Sequence, residues 1–114
     1  MFLDASSVVA VLLQEEDAPA ILKAMEAGRG KLRYSPIVRL EAVLALVRHV
    51  VERRGGGPAM KEDFDNAADL VRDLMVTLDA KEMHITTSMA EEAIRVLSVY
   101  GKAVDHPAKL NLGD

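Results

Sequence analysis

The sequence contains no cysteine, which excludes a disulfide framework and a thiolate metal site. Nothing in its 114 residues requires an oxidising compartment, so we expect a cytoplasmic protein. It also has no uninterrupted apolar run of the roughly 20 residues that a membrane span needs. The apolar N-terminus lacks a basic segment and is interrupted by Asp4, which argues against a signal peptide. We therefore expect no association with a membrane.

The sequence also has no excess of basic residues. It carries 14 lysines and arginines against 18 aspartates and glutamates, a net charge of −4. This balance argues against a protein that coats nucleic acid through a broad basic surface. An enzyme that binds a few phosphates through bound cations remains possible. The length, with 50% hydrophobic residues, fits one globular domain over residues 1–114.

The hydrophobic periodicity predicts short strands that alternate with helices. The predicted strands are Phe2–Asp4, Lys31–Tyr34 and His84–Thr86. The predicted helices cover about residues 6–13, 17–27, 35–53 and 60–78, with a fifth that is capped by Thr87 or Ser88, runs to about Val99 and is ended by Gly101. Parallel neighbouring strands need crossover connections, so this order predicts an α/β sandwich with a parallel sheet.

A glycine-rich segment separates the two long predicted helices. The run Arg53-Arg54-Gly55-Gly56-Gly57-Pro58 is typical of a flexible hairpin tip. Two interpretations of its arginines stay open. They form a mobile contact to phosphates, or they only keep an exposed loop soluble.

Three acidic residues are candidates for chemistry, although each also fits a structural role. Asp4 ends the first predicted strand, where open α/β sheets place their ligands, and the nearby Ser6 could cap the next helix or hold a carboxylate. Glu41 lies one turn into the long helix beside a wide apolar stripe, so we expect it to be paired, metal-bound or directed outward. Asp114 follows a loop and fits a helix N-cap.

Read together and in order, three segments resemble the VapC branch of the PIN-domain family. They are Phe2-Leu3-Asp4-Ala5-Ser6, then Ser35-Pro36-Ile37-Val38-Arg39-Leu40-Glu41, and the stretch from Gly101 to Leu112-Gly113-Asp114. The resemblance covers essentially the whole chain. It implies a PIN-like three-layer α/β/α sandwich with a central parallel sheet. Members of the family continue beyond the position of Asp114, so we expect the last strands to be missing and the domain to be incomplete at its C-terminus.

The resemblance also implies a function, that of an endoribonuclease toxin which depends on Mg²⁺ or Mn²⁺. In this family Asp4, Glu41 and Asp114 correspond to metal ligands, and Ser6 to a supporting hydroxyl. Two carboxylates about 4 Å apart repel by roughly 4 kcal/mol at an effective dielectric constant near 20, and a hard cation removes that repulsion. The implied reaction is metal-assisted hydrolysis of RNA phosphodiester bonds. The implied partners are a VapB-type antitoxin and a second copy of the chain in a homodimer.

Two other functions are compatible with the same residues. One is a catalytically inactive PIN fold that dimerises and holds an antitoxin in a groove between its helices. The other is a phosphoryl-transfer α/β protein, either a receiver domain or an aspartate-nucleophile phosphatase. The phosphatase pattern has a second aspartate two positions after the first, where this chain has Ser6. A receiver domain needs an acidic pair ahead of its phosphorylated residue.

Overall fold

The computed structural model describes residues 1–92, 94 and 95. Its residues group into two compact units, Met1–Met83 and a second that begins at His84. The first unit contains four helices, α1 (Ala5–Leu12), α2 (Ala18–Ala27), α3 (Pro36–Arg53) and α4 (Lys61–Thr77), and two strands, β1 (Arg33–Tyr34) and β2 (Lys81–Glu82). The predicted single domain over residues 1–114 stays a prediction.

The first unit contains a small parallel sheet. Phe2 forms an isolated parallel bridge with Arg33, and β1 pairs in parallel with β2 in the register Arg33 to Lys81 and Tyr34 to Glu82. The segment at Phe2 is therefore on one side of β1 and β2 is on the other. Because all three run in the same direction, their carboxyl ends meet at one edge of the sheet. The predicted α/β fold with parallel strands is confirmed, although the strands are shorter than expected.

The third strand does not lie where the sequence predicts it. The prediction was His84–Thr86, but the observed strand is Lys81–Glu82. The amides of Lys81 and Met83 donate to the carbonyls of Leu32 and Tyr34, at 3.0 and 2.8 Å. Pairing begins this early because α4 ends at Thr77 with the buried Leu78 as its C-cap, after which the chain turns at Asp79 with a φ of 52°. Two exposed polar residues form the strand, so no apolar alternation marks it in the sequence.

The helix starts follow from capping residues. Asp4 is the N-cap of α1, and the Oγ of Ser35, the N-cap of α3, accepts a hydrogen bond of 3.1 Å from the amide of Val38. In the second unit, Thr86 Oγ1 accepts from the amide of Met89 at 3.1 Å, and the backbone is helical at residues 87–92. The cap is thus one residue before Thr87, the earlier of the two predicted positions. The predicted end of this helix near Gly101 lies outside the described residues.

The helices bury a common apolar core. Helix α1 packs against α2 and α3, and α3 packs against α4. The core cluster comprises Leu3, Val8, Met25, Leu32, Ala42, Leu46, Val47, Ala67, Val71, Met75 and Leu78. In the described part of the chain, no helix combines the length and the apolarity that crossing a bilayer requires.

The loop between α3 and α4 is closed by an ion pair. Arg54 Nη1 and Nη2 donate to the two carboxylate oxygens of Asp63 at 2.9 and 2.7 Å, and Nη2 also donates to the carbonyl of Pro58 at 3.0 Å. The amide of Met60 donates to Asp63 Oδ2 at 2.7 Å. Three glycines, Gly55–Gly57, cross the loop with φ between 93° and 97°. The guanidinium of Arg54 is therefore engaged within the hairpin, which favours a structural role over a contact to phosphates.

Asp63→Asn is expected to lower the melting temperature at neutral pH but not in strong acid. The Arg54 guanidinium, with the amide of Met60, lowers the pKa of Asp63 to about 2, against about 3.9 for an unfolded aspartate. A lowered pKa stabilises the fold above the unfolded value, and this stability is lost as the pH falls from about 4 to about 2. Melting curves of the variant and the parent protein should therefore differ above pH 4 and converge near pH 2.

Asp65→Asn is the matched control for this experiment. Asp65 pairs with Lys61 at 2.7 Å, but both side chains are well exposed. Exposed pairs of this kind contribute little to stability. This role for the ion pair would be contradicted if Asp65→Asn lowered the melting temperature as much as Asp63→Asn does. It would also be contradicted if the melting temperatures of Asp63→Asn and the parent protein still differed at pH 2.

Candidate functional site

Asp4 lies at the carboxyl edge of the sheet with one carboxylate oxygen fixed. Its Oδ1 accepts hydrogen bonds from the amide of Ser7 at 2.7 Å and from the Oγ of Ser6 at 2.9 Å. The preceding Leu3 is buried, whereas Asp4 itself is exposed. Among the hydrogen bonds of the described residues, none uses Asp4 Oδ2. The two contacts hold the carboxylate in one orientation through Oδ1 alone.

The environment of Asp4 favours its charged form. The hydrogen bond from the Ser7 amide lowers the pKa of Asp4, partial burial opposes this effect, and the hydroxyl of Ser6 adds to the lowering. Asp4 is therefore ionised at neutral pH. A fixed, ionised carboxylate fits the oxygen ligands that hard cations such as Mg²⁺ prefer.

Glu41 lies in the second turn of α3 and is half-buried. Its neighbour Ala42 is fully buried in the core. Helix α3, which carries Glu41, contacts α1, which begins at Asp4. Both helices start directly after segments that end at the same edge of the sheet. A shared role for the two carboxylates stays a prediction.

The structure brings two of the four predicted site residues into contact. Ser6 is hydrogen-bonded to Asp4, and thus holds a carboxylate instead of capping the helix. Asp114 lies outside the described residues. Within residues 1–92, 94 and 95, no group of three or more histidine, cysteine or acidic side chains is placed to hold a metal ion. Convergence of Asp4, Glu41 and Asp114 therefore stays a prediction.

Two contacts of this region were missed by the sequence analysis. The first is the amide of Ser7, which the N-cap preference of aspartate at Asp4 could have indicated. The second is the ion pair between Arg39, near the start of α3, and Glu82 of β2. These two residues are 43 positions apart, and no local pattern in the sequence connects them.

Substitution of Asp4 should separate its capping role from its charge. Asp4→Ala removes the N-cap acceptor, so we expect it to lower the free energy of unfolding by about 1 kcal/mol. Asp4→Asn keeps an acceptor of nearly equal capping strength and should retain most of the stability. Urea denaturation measures both. An equal decrease in the free energy of unfolding in the two variants would show that the charge of Asp4, and not its capping hydrogen bond, stabilises α1.

Comparisons with known proteins identify the family. The family described as PIN domain matches residues 1–114. The chain is similar to a VapC ribonuclease of Rhizobium meliloti (strain 1021), with 36% identity over 113 residues that cover 99% of this chain and 80% of the relative. No solved structure matches the chain. From the full-length family match and this relative, the chain belongs to the PIN-domain family.

Proposed function

We propose that this chain is an endoribonuclease toxin that uses Mg²⁺ or Mn²⁺ and is neutralised by a VapB-type antitoxin. The similarity over almost the whole chain to a protein named VapC ribonuclease carries the proposal. The ionised carboxylate of Asp4 at the carboxyl edge of a parallel sheet supports it, because open α/β sheets bind ligands at that edge. The proposed location is the cytoplasm, as expected of a chain without cysteine.

The proposed metal ligands are Asp4, Glu41 and Asp114. Ser6 has a positioning role, since its hydroxyl and the Ser7 amide fix one oxygen of Asp4 and leave the other for the ion. When bound, a divalent ion would polarise the scissile phosphate and lower the pKa of an attacking water. The carboxylates themselves bind the ion and need not act as nucleophiles.

Cleavage of RNA in the presence of Mn²⁺ tests the proposal directly. We expect the purified protein to cut members of a panel of transfer, ribosomal and messenger RNAs. Asp4→Asn and Glu41→Gln should each lower the rate by at least about 100-fold, because loss of a direct ligand should cost no less than loss of its supporting partners. Addition of a cognate antitoxin should suppress the cleavage by the parent protein.

Two conservative substitutions serve as controls. Asp17→Asn changes the N-cap of α2, which makes no side-chain capping hydrogen bond, and Glu52→Gln changes an exposed residue of α3. Both should retain full activity. No cleavage beyond that of Asp4→Ala would favour the inactive binding module instead. Stable formation of an aspartyl phosphate would favour the phosphoryl-transfer alternative.

An exposed apolar surface on α3 supports the proposed homodimer. Ile37, Leu40 and Leu44 are 46%, 57% and 37% exposed, at a spacing that places them along one side of the helix. Leu40 also borders a groove between α3 and α4, which is lined by Val43 and Phe64. Large apolar side chains grouped on a surface are typical of an interface. We propose that a second copy of the chain covers this surface.

Leu40→Glu should therefore shift the protein from dimer to monomer. A buried carboxylate without a partner disfavours association strongly. Val76→Glu is the control, because Val76 is 72% exposed on α4 outside the proposed surface. Sedimentation equilibrium measures both. A parent protein that is monomeric at high concentration, or a Leu40→Glu variant that still dimerises like the control, would contradict the proposed interface.

A further inference from the structure

The ion pair between Arg39 and Glu82 connects a helix to the sheet. Arg39 Nε lies 2.5 Å from Glu82 Oε1, with side chains 52% and 34% exposed. Each other side-chain ion pair within the described residues joins positions at most nine apart, as in Arg54 with Asp63. Among these ion pairs, Arg39–Glu82 therefore connects two elements that are far apart in the sequence.

Glu82 is a fixed point for this contact. The amides on either side of it, those of Lys81 and Met83, are both bonded to the backbone around β1. Its register partner is Tyr34 of β1. Burial raises the pKa of Tyr34, the negative charge of Glu82 raises it further, and the positive charge of Arg39 opposes them. The tyrosine hydroxyl is therefore within electrostatic reach of both members of the ion pair.

Arg39 and Glu41 are coupled through the helix that carries both. At 3.6 residues per turn, two positions correspond to about 200°, so the two side chains leave α3 on nearly opposite sides. A rotation of the helix about its axis moves both. The core contacts of α3, made by Ala42, Leu46 and Val47, are apolar and without direction. A hydrogen-bonded ion pair is directional, so it adds a restraint on the rotation of α3 to the one that the core packing supplies.

We propose that the Arg39–Glu82 ion pair is a positioning contact, which fixes the rotation of α3 so that Glu41 faces the metal site. The inference rests on the proposed function, because it assigns Glu41 as a ligand. Neither Arg39 nor Glu82 touches the metal or the substrate in this role. An exposed ion pair contributes little to global stability, so its effect on Glu41 is separable from its effect on folding.

Calorimetric titration with Mn²⁺ tests the proposal without reference to RNA cleavage. Arg39→Ala and Glu82→Gln should each weaken Mn²⁺ binding by roughly two- to fivefold, because removing the pair cannot shift the position of α3 by more than the small contribution of an exposed ion pair. The melting temperature should change by less than about 4 °C. The charge-reversed double variant Arg39→Glu with Glu82→Arg should recover most of the affinity.

Arg72→Ala is the matched control, because Arg72 forms exposed ion pairs within α4 alone, with Asp69 and Asp73. It should leave Mn²⁺ affinity unchanged. Equal Mn²⁺ affinities of Arg39→Ala, Arg72→Ala and the parent protein would overturn the proposal. A double variant that recovers none of the lost Mn²⁺ affinity would overturn it as well.

Amide hydrogen exchange of α3 distinguishes failure of this inference from failure of the proposed function. Arg39→Ala should speed exchange in the first turns of α3, whereas Arg72→Ala should not. A parent protein that binds no Mn²⁺ contradicts the metal site and the role assigned to Glu41. Unchanged exchange in Arg39→Ala would show that the ion pair does not anchor the helix, even if metal binding is confirmed.

Discussion

Three buried leucines hold the sheet in place. Leu3 follows the bridge at Phe2, Leu32 precedes β1 and Leu78 precedes β2, and their side chains are between 0% and 5% exposed. This packing is needed because the sheet, as far as the described residues form it, has two strands of two residues and one bridge, which supply few backbone hydrogen bonds. A sheet this small is not stable by itself, so the apolar contacts with the helices must determine where its edge lies.

The candidate site depends on the same packing. Asp4 directly follows Leu3, so the buried side chain of one residue places the charged group of the next. The hydrogen bonds from Ser6 and Ser7 then orient the carboxylate. Helix α3 starts at the same edge through the cap at Ser35, and its first turns carry Glu41. The buried Leu3 thus fixes where Asp4 lies, and the two serines fix how its carboxylate is oriented.

The sequence predicts the helices better than the strands. The bounds of α2, α3 and α4 agree within one or two residues, because proline, glycine and capping residues mark their ends and a long apolar period fills them. Strand β2 was misplaced, since its stability comes from pairing with β1 and not from its own two polar residues. The contact of Ser6 with Asp4 was among the predicted possibilities. The Arg39–Glu82 pair was not, because the fold alone brings its members together. The role of Asp114 as a metal ligand stays a prediction from the family resemblance.

The backbone conformation of Gly55–Gly57 restricts which amino acids can replace these glycines. A Cβ at any of the three glycines would meet no atom within 4 Å, so space does not restrict these positions. Their φ values near +95° do, because L side chains rarely adopt them. D-amino acids favour this sign of φ, by mirror symmetry. In a chemically synthesised chain, D-alanine would therefore fit this loop where L-alanine would be strained, and would also reduce the freedom of the unfolded chain.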